Sequence, residues 1–320
     1  MARIANISLV QLEYLVALDK HRHFIRAAEA CFVTQPTLSM QIKKLESELD
    51  VKLFDRSRQP IIPTDVGKLV IDQAKKILNE TIRVDEILQA YKGTVNGDLY
   101  IGIIPTISPY LMPYLISNIG KMYPGIRLHV KELLTEDILS KLGSDQLDLG
   151  ILSTPLDMEG IIERPLFYEK FLVYMNPSHV SFEKTSISAF DLLEGKLWLL
   201  SEGNCFRNQS INLCSLKDLD LNQSTLDYES GSLETLMRIV DMEGGATIIP
   251  EWASLDAKDE IKQRMRPIAE KDMVREVGMI YTRNFAKARL IQALEEVIAV
   301  CVPEALRENE GKEVVDIFVK

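Results

Sequence analysis

Residues 64–91, TDVGKLVIDQAKKILNETIRVDEILQAY, run for 28 positions without a proline and with a single glycine, Gly67. Within them Val70, Ala74, Ile77, Thr81, Val84, Leu88 and Tyr91 alternate four and three apart, which is the spacing of a coiled-coil seam. A helix of this length spans about 40 Å at 1.5 Å per residue, more than a small domain can cover. The chain must therefore be divided into a compact segment at 1–64, a linker helix at 65–91 and a separate body. The apolar stripe needs a partner. Another domain of the same chain could supply it, but a second copy of the helix is favoured, giving a dimerisation seam and two heads. KGTVNG, residues 92–97, reads as the hinge that ends the helix.

The charge is divided along the same lines. Residues 1–70 carry ten Lys or Arg against eight Asp or Glu, a balance of +2, so the net charge of -10 leaves -12 on the remaining 250 residues. A basic head on an acidic body keeps nucleic-acid binding open for the head alone. Ser8 and Gln11 form a capping-box pair ahead of Leu9, Leu12, Leu15 and Val16 at helical spacing, predicting a first helix. Phe24, Ala27, Ala28 and Cys31 predict a second, with Cys31 in the core. Thr34 caps a third, TQPTLSMQIKKLESEL, in which Leu38, Ile42, Leu45 and Leu49 form the buried stripe. The opposite face offers Pro36, Met40, Lys43 and Lys44, flanked by Thr37 and Ser39, with Gln35 at the end that would enter a major groove. Short strands at LFDR and II would form a wing whose Arg56 and Arg58 suit phosphate or minor-groove contacts. Periodicity alone leaves a generic three-helix bundle equally open.

The string RAAEACFVTQPTLSMQIKKLESELDVKLFDR, followed by PTDVGK, closely resembles the winged helix-turn-helix of LysR-type transcriptional regulators, with its alanine pair, Q-P-T turn and L-F-x-R in order. Beyond the hinge, strands and helices alternate: LYIGII, a helix through YLMPYLISNIGKMY, IRLHVKEL, a helix opened by Thr135, LDLGIL, FLVYM, KLWLL, STLDY, a helix through SLETLMRIVDM stopped by Gly244 and Gly245, and ATIIP. This pattern predicts an α/β body of two similar subdomains. The resemblance extends through the body and implies a periplasmic-binding-protein-like effector domain at 98–320. Its subdomains would be 98–170 with 274–320, and 171–273, joined where VREVGMIYT crosses back.

Cys205 and Cys214 stand nine positions apart in GNCFRNQSINLC. They lack metal-ligand spacing, and His21, His23, His129 and His179 lie far from them in sequence, so no metal site is expected. Two ordinary buried thiols is the plain alternative. Against it, Arg207 two residues after Cys205 could stabilise a thiolate there, and Cys214 is the nearby thiol that could condense with an oxidised Cys205.

IGIIPTISPYLMP, the Thr135 region, LSEGNCFRNQSINLC and SLETLMRIV resemble the peroxide-sensing branch of the LysR family over nearly the full chain. That resemblance implies that Cys205 is peroxidatic and Cys214 resolving, that Thr106 and Thr135 help to bind hydrogen peroxide, and that Arg207 and Arg275 stabilise the thiolate. Without it, Thr106 reads as a turn residue and Thr135 as a helix cap. Asn204 and Asn208 depart from the branch, where histidine and aspartate are common, so neutral amides stand in for ionisable groups beside the cysteine. The resulting expectation is a cytoplasmic regulator, not an enzyme, that acts on double-stranded promoter DNA as a homodimer or tetramer. It would contact RNA polymerase and be reset by a cellular thiol reductant, without cofactor or membrane. Four cysteines and no signal-like amino terminus fit the cytosol. Two rivals are a LysR-type regulator that responds to a small metabolite in its cleft, and a thiol peroxidase with a DNA-binding head.

Overall fold

The computed structural model describes residues 7–57, 59–91, 95–214, 230–269, 273–283, 287–307 and 311–318; Arg58, hinge residues 92–94 and the strand candidate at 224–228 lie outside them. The chain forms two compact units, one built on residues 1–94 and the other on 95–283 and 289–320.

In the first unit, α1 (Leu9–His21) starts at the capping box read from the sequence. The Ser8 hydroxyl accepts from Gln11 N–H at 3.2 Å and the Gln11 side chain accepts from Ser8 N–H at 2.9 Å. α2 (Phe24–Ala30) and α3 (Gln35–Leu49) close the core through Leu15, Leu18, Ala27, Leu38, Ile42 and Leu45. Cys31, expected in that core, is half-buried because α2 ends at Ala30 and Cys31 forms its cap. The wing strands β1 (Phe54–Asp55) and β2 (Ile62–Pro63) pair antiparallel. α4 (Asp65–Tyr91) is continuous, and its first turns run along α1, where Ile71 and Ala74 join the head's core.

The second unit follows the alternation of the sequence. β3 (Gly97–Ile103), α5 (Ser108–Met122), β4 (Ile126–Glu132), α6 (Thr135–Gly143) and β5 (Leu149–Thr154) form a parallel sheet with its helices. β6 (Ile161–Met175) then leaves it. Further elements follow in order: α7 (Ala189–Leu193), β7 (Leu197–Trp198), α8 (Cys205–Leu213), α9 (Leu233–Glu243), β8 (Ala246–Pro250), α10 (Trp252–Leu255), α11 (Asp259–Lys262), β9 (Met265–Pro267), β10 (Met273–Thr282), α12 (Ala288–Cys301) and β11 (Glu313–Val314). The strand order is β4-β3-β5-β10-β6-β8-β7.

The middle of that order sets up the site. β6 pairs antiparallel with β10 from Ile161 to Lys170 and passes to β8 from Phe171 onward, while β10 also pairs with β5. β6 thus runs from one subdomain into the other, and β10 starts beside that crossing, Val274 opposite Lys170. The FLVYM reading captured only the end of β6. Its earlier part is broken by charges that the fold accommodates: Glu163 accepts from the N–H groups of Leu156 and Asp157, and Arg164 pairs with Glu295 at 2.8 Å. Among the described residues no helix is long and apolar enough to cross a membrane.

Candidate functional site

Cys205 is the first residue of α8 and Thr135 the first residue of α6, and their side chains meet with Oγ1 3.1 Å from Sγ. Two helix amino termini from the two subdomains therefore converge on one sulfur. Each presents unpaired N–H groups and a partial positive charge. The approach depends on Gly203, whose φ of +84° makes the turn into α8 and whose missing side chain leaves room for Leu134, only 3.3 Å from where a Cβ would stand. Thr135 does not cap α6; Leu134 occupies that position, which leaves the hydroxyl for the sulfur.

Behind the cysteine lies a buried polar cluster. Arg275 on β10 is 1% exposed and sits directly opposite Glu169 on β6 in the strand register. Its Nε donates to Glu169 Oε1 at 2.8 Å and its Nη2 also donates to that carboxylate. Nη1 donates to the Thr106 hydroxyl at 2.8 Å and Nη2 to the Thr106 carbonyl at 3.2 Å. The guanidinium carbon lies 4.7 Å from the ring centre of Phe206, the residue after Cys205, and Phe206 stacks on Phe171. A fully buried charge is tolerable only with this degree of pairing. Burial raises the Glu169 carboxyl above its ordinary range, opposed by Arg275 and by the Trp252 N–H. Tyr110 on α5 reaches Glu234 on α9 at 3.4 Å, a second link between the subdomains, and burial pushes its phenol up.

The Cys205 thiol is not depressed, as the reading of Arg207 beside it had suggested. Burial pushes it up, opposed by the Thr135 hydroxyl and then by the charge of Arg275. Arg207 points elsewhere: its Nη1 donates to the Leu200 carbonyl at 3.3 Å. Residues two apart on a helix do not share a face, which explains the divergence. Asn204 precedes the helix without capping it, its side-chain amide donating to the Ser201 carbonyl and hydroxyl at 3.0 and 3.1 Å. Cys214 forms the other end of α8, buried among Phe206, Leu213, Leu236 and Val315. Nine helical steps separate the two thiols by about 13 Å along the axis, and neither is in a disulfide. The sequence reading missed Glu169, Phe206, Tyr110 and Glu234. A lone acid in the strand YEKFLVYM was the available signal for Glu169.

In the other unit, Gln35, Pro36, Met40, Lys43 and Lys44 are exposed along α3, with Thr37 and Ser39 half-buried beside them. Arg56 does not join this face. It pairs at 2.7 Å with the buried Glu46 of α3, which also accepts from the N–H groups of Leu53 and Phe54, and it stacks over Phe24. The wing is thereby tied to α3 by charge-assisted bonds. On α4 the expected seam splits. Ala74 is buried and Val70 half-buried against this chain's own head, because α4 packs along α1 there. Ile77, Thr81, Val84 and Leu88 lie exposed, Val84 at 56% and Leu88 at 53%, and the Tyr91 side chain lies outside the described residues.

Residues 9–68 match the bacterial regulatory helix-turn-helix protein family of lysR type, and residues 92–300 match the LysR substrate binding domain. The chain is 35% identical over 292 residues to the DNA-binding transcriptional dual regulator OxyR of Escherichia coli K12, covering 91% of this chain and 95% of that one. Among solved structures it resembles a full-length OxyR variant from Pseudomonas aeruginosa, with a TM-score of 0.73, 34% identity, and 93% of this chain and 99% of that one covered. It also resembles a hydrogen-peroxide-bound mutant of Corynebacterium glutamicum OxyR, with a TM-score of 0.58, 26% identity, and 94% and 98% covered.

Proposed function

The chain belongs to the LysR family of bacterial helix-turn-helix regulators, and on that footing we propose that it senses hydrogen peroxide at Cys205 and passes the signal to promoter DNA bound through α3. The contact between Thr135 Oγ1 and Cys205 Sγ at the meeting of two helix amino termini carries this reading. A thiol placed there for packing alone would need no hydroxyl from the opposite subdomain. Relatives named hydrogen peroxide-inducible genes activator, 35% and 33% identical over 91% and 86% of this chain, support it, as does the similarity to a peroxide-bound structure.

The chemistry follows from the surroundings. Burial favours the protonated form of the resting thiol, against the Thr135 hydroxyl and Arg275. Once the proton leaves, the Thr135 hydroxyl donates to the anion, and the N–H groups of α6 and α8 together with Arg275 favour negative charge at the same place. The Cys205 thiolate attacks one peroxide oxygen, the O–O bond breaks, and the departing hydroxide takes up a proton. The products are a sulfenic acid at Cys205 and one water. Cys214 then attacks the sulfenic sulfur, releasing a second water and forming the Cys205–Cys214 disulfide. Disulfide-bonded Cα atoms lie within about 7 Å, so the helical separation of about 13 Å must collapse. α8 unwinds as the bond forms, and the link from α8 through Phe206 and Arg275 to β6 and β10 gives the change a route into both subdomains.

The exposed half of the α4 seam fits a homodimer, from which a tetramer is built. Reversal by a cellular thiol reductant requires a reducing compartment, the cytoplasm, and activation of transcription requires contact with RNA polymerase. Mass spectrometry of the intact protein before and after brief, low-dose peroxide, with the thiols mapped, tests the proposal. A loss of two hydrogens located at Cys205 and Cys214, at one peroxide per chain, is expected. Oxidation confined to Cys31 or Cys301 sinks it, and sustained turnover of peroxide with a thiol reductant would point to a peroxidase instead.

A further inference from the structure

The carboxy-terminal stretch Glu313–Phe318 is bound to α8. β11 pairs in parallel with the start of β10, Glu313 opposite Met273 and Val314 opposite Val274, and Val315 N–H donates to the Val274 carbonyl at 2.9 Å. Val315 and Ile317 are buried, Val315 in the same cluster as Cys214, Leu213 and Phe206. Two side-chain amides of α8 hold this strap. Gln209 Nε2 donates to the Val315 carbonyl at 3.1 Å, and Asn212 Nδ2 donates to the carbonyls of Asp316 and Phe318, each at 2.8 Å. The two amides stand three apart, on one face of the helix. Gln209 is fully buried, and its Oε1 has no hydrogen-bond partner among the described residues. An amide kept there with one end unsatisfied is held by what its other end grips.

These bonds fall on the carboxy-terminal half of α8, the half that must unwind for Cys214 to reach Cys205. They exist only while the amides project from a helix in register with the strap. The strap's other edge is Val274, the residue before Arg275, so one short segment braces both the helix that carries the cysteines and the strand that carries the guanidinium. We propose that the strap is a clamp on the reduced state: it stabilises helical α8, slows conversion of the Cys205 sulfenic acid to the disulfide, and makes the disulfide easier to reduce. Gln209 and Asn212 are its positioning residues. This inference rests on the switch reading given above. The step it governs is Cys205–SOH plus Cys214–SH giving the disulfide and water, and its reversal takes two electrons and two protons from a dithiol reductant.

Asn212→Ala removes two bonds of the clamp and leaves the apolar packing of the strap intact. Their loss shifts the balance between helical and unwound α8 by about tenfold. In the full-length protein, peroxide-pulsed stopped flow with thiol trapping should then show sulfenic acid formation unchanged within about twofold and closure of the disulfide accelerated by up to about tenfold. Equilibration against a dithiothreitol couple should show a potential more negative by about 30 mV, the two-electron equivalent of tenfold. In the reduced protein, hydrogen exchange should be about tenfold faster at the α8 amides from Gln209 to Cys214. Closure and potential equal to wild type, or closure that slows, overturns the clamp. A wild type that forms no Cys205–Cys214 bond overturns the switch reading, and unchanged α8 exchange in Asn212→Ala would then overturn the clamp separately. A chain ending at Lys312 should repeat the exchange result. If it unfolds, the Asn212→Ala data decide.

Discussion

Thr135→Val keeps the size and branching of the side chain and removes the hydroxyl that lies 3.1 Å from Cys205 Sγ. Thr135 is buried and its hydroxyl does not cap α6, so the fold should tolerate the change. A hydrogen bond to a charged group contributes about 1.5–3 kcal/mol, and one pKa unit corresponds to about 1.4 kcal/mol. The Cys205 thiol, already raised by burial, should therefore rise further. At neutral pH the thiolate fraction falls tenfold per unit, while the more basic thiolate gains nucleophilicity with a slope of about 0.4–0.5, as in thiol–disulfide exchange. With about 1.5–3 kcal/mol of anion stabilisation lost, the net expectation is a peroxide reaction slower by roughly three- to twentyfold. The assay is the rate of sulfenic acid trapping in a Cys214→Ser background, followed from pH 6 to 11 alongside the pH profile of Cys205 alkylation. The deficit should be full at neutral pH and should narrow as the pH rises through the ionisation of the wild-type thiol. Thr135→Ser, which retains the hydroxyl, should react within about twofold of wild type. A Thr135→Val protein with an unshifted alkylation profile and wild-type rate at pH 7 would refute the argument that this hydroxyl stabilises the anion.

Four other outcomes are expected. Replacing Lys43 and Lys44 by alanine should weaken binding to any duplex and lower the slope of log affinity against log salt by about 1.8, which titrations at several salt concentrations would read. In Cys214→Ser, mass spectrometry after excess peroxide should find no intramolecular disulfide and progression of Cys205 to sulfinic acid. Val84→Asp with Leu88→Asp should shift the protein toward monomer in sedimentation without altering the melting of the head, whereas Ala74→Asp should unfold the head because Ala74 lies in its core. Glu46→Ala leaves the N–H groups of Leu53 and Phe54 without their acceptor and Arg56 without its pair. It should cost the head about 3 kcal/mol in denaturant unfolding.

The head and linker were legible because their signals are local. The Ser8–Gln11 capping box, the Leu38, Ile42 and Leu45 stripe and the long proline-free helix are set within a few residues of one another, and the structure reproduces each. In the body, periodicity disclosed most strands and three of the helices. It missed the charged half of β6, since those charges are satisfied by partners distant in sequence, and it left α8 without an assigned helix. For the site, sequence singled out Cys205 and Thr135 but not their contact. Proximity along the chain favoured Arg207, yet two helical steps turn a side chain about 200° away, and the cation whose charge acts on Cys205 comes from 70 residues farther on. Local chemistry also suggested a low thiol pKa, whereas the direction is set by burial, which depends on how the two subdomains close over Cys205. Sequence by itself determined the order of parts, the amphipathic faces and the chemically distinctive residues, because these rest on covalent neighbours and helical or strand periods. Only tertiary structure decided which charge meets which sulfur, which half of the α4 seam is already occupied, and that the end of the chain grips α8. Those outcomes depend on strand register and desolvation, and both arise from contacts between residues far apart in the chain.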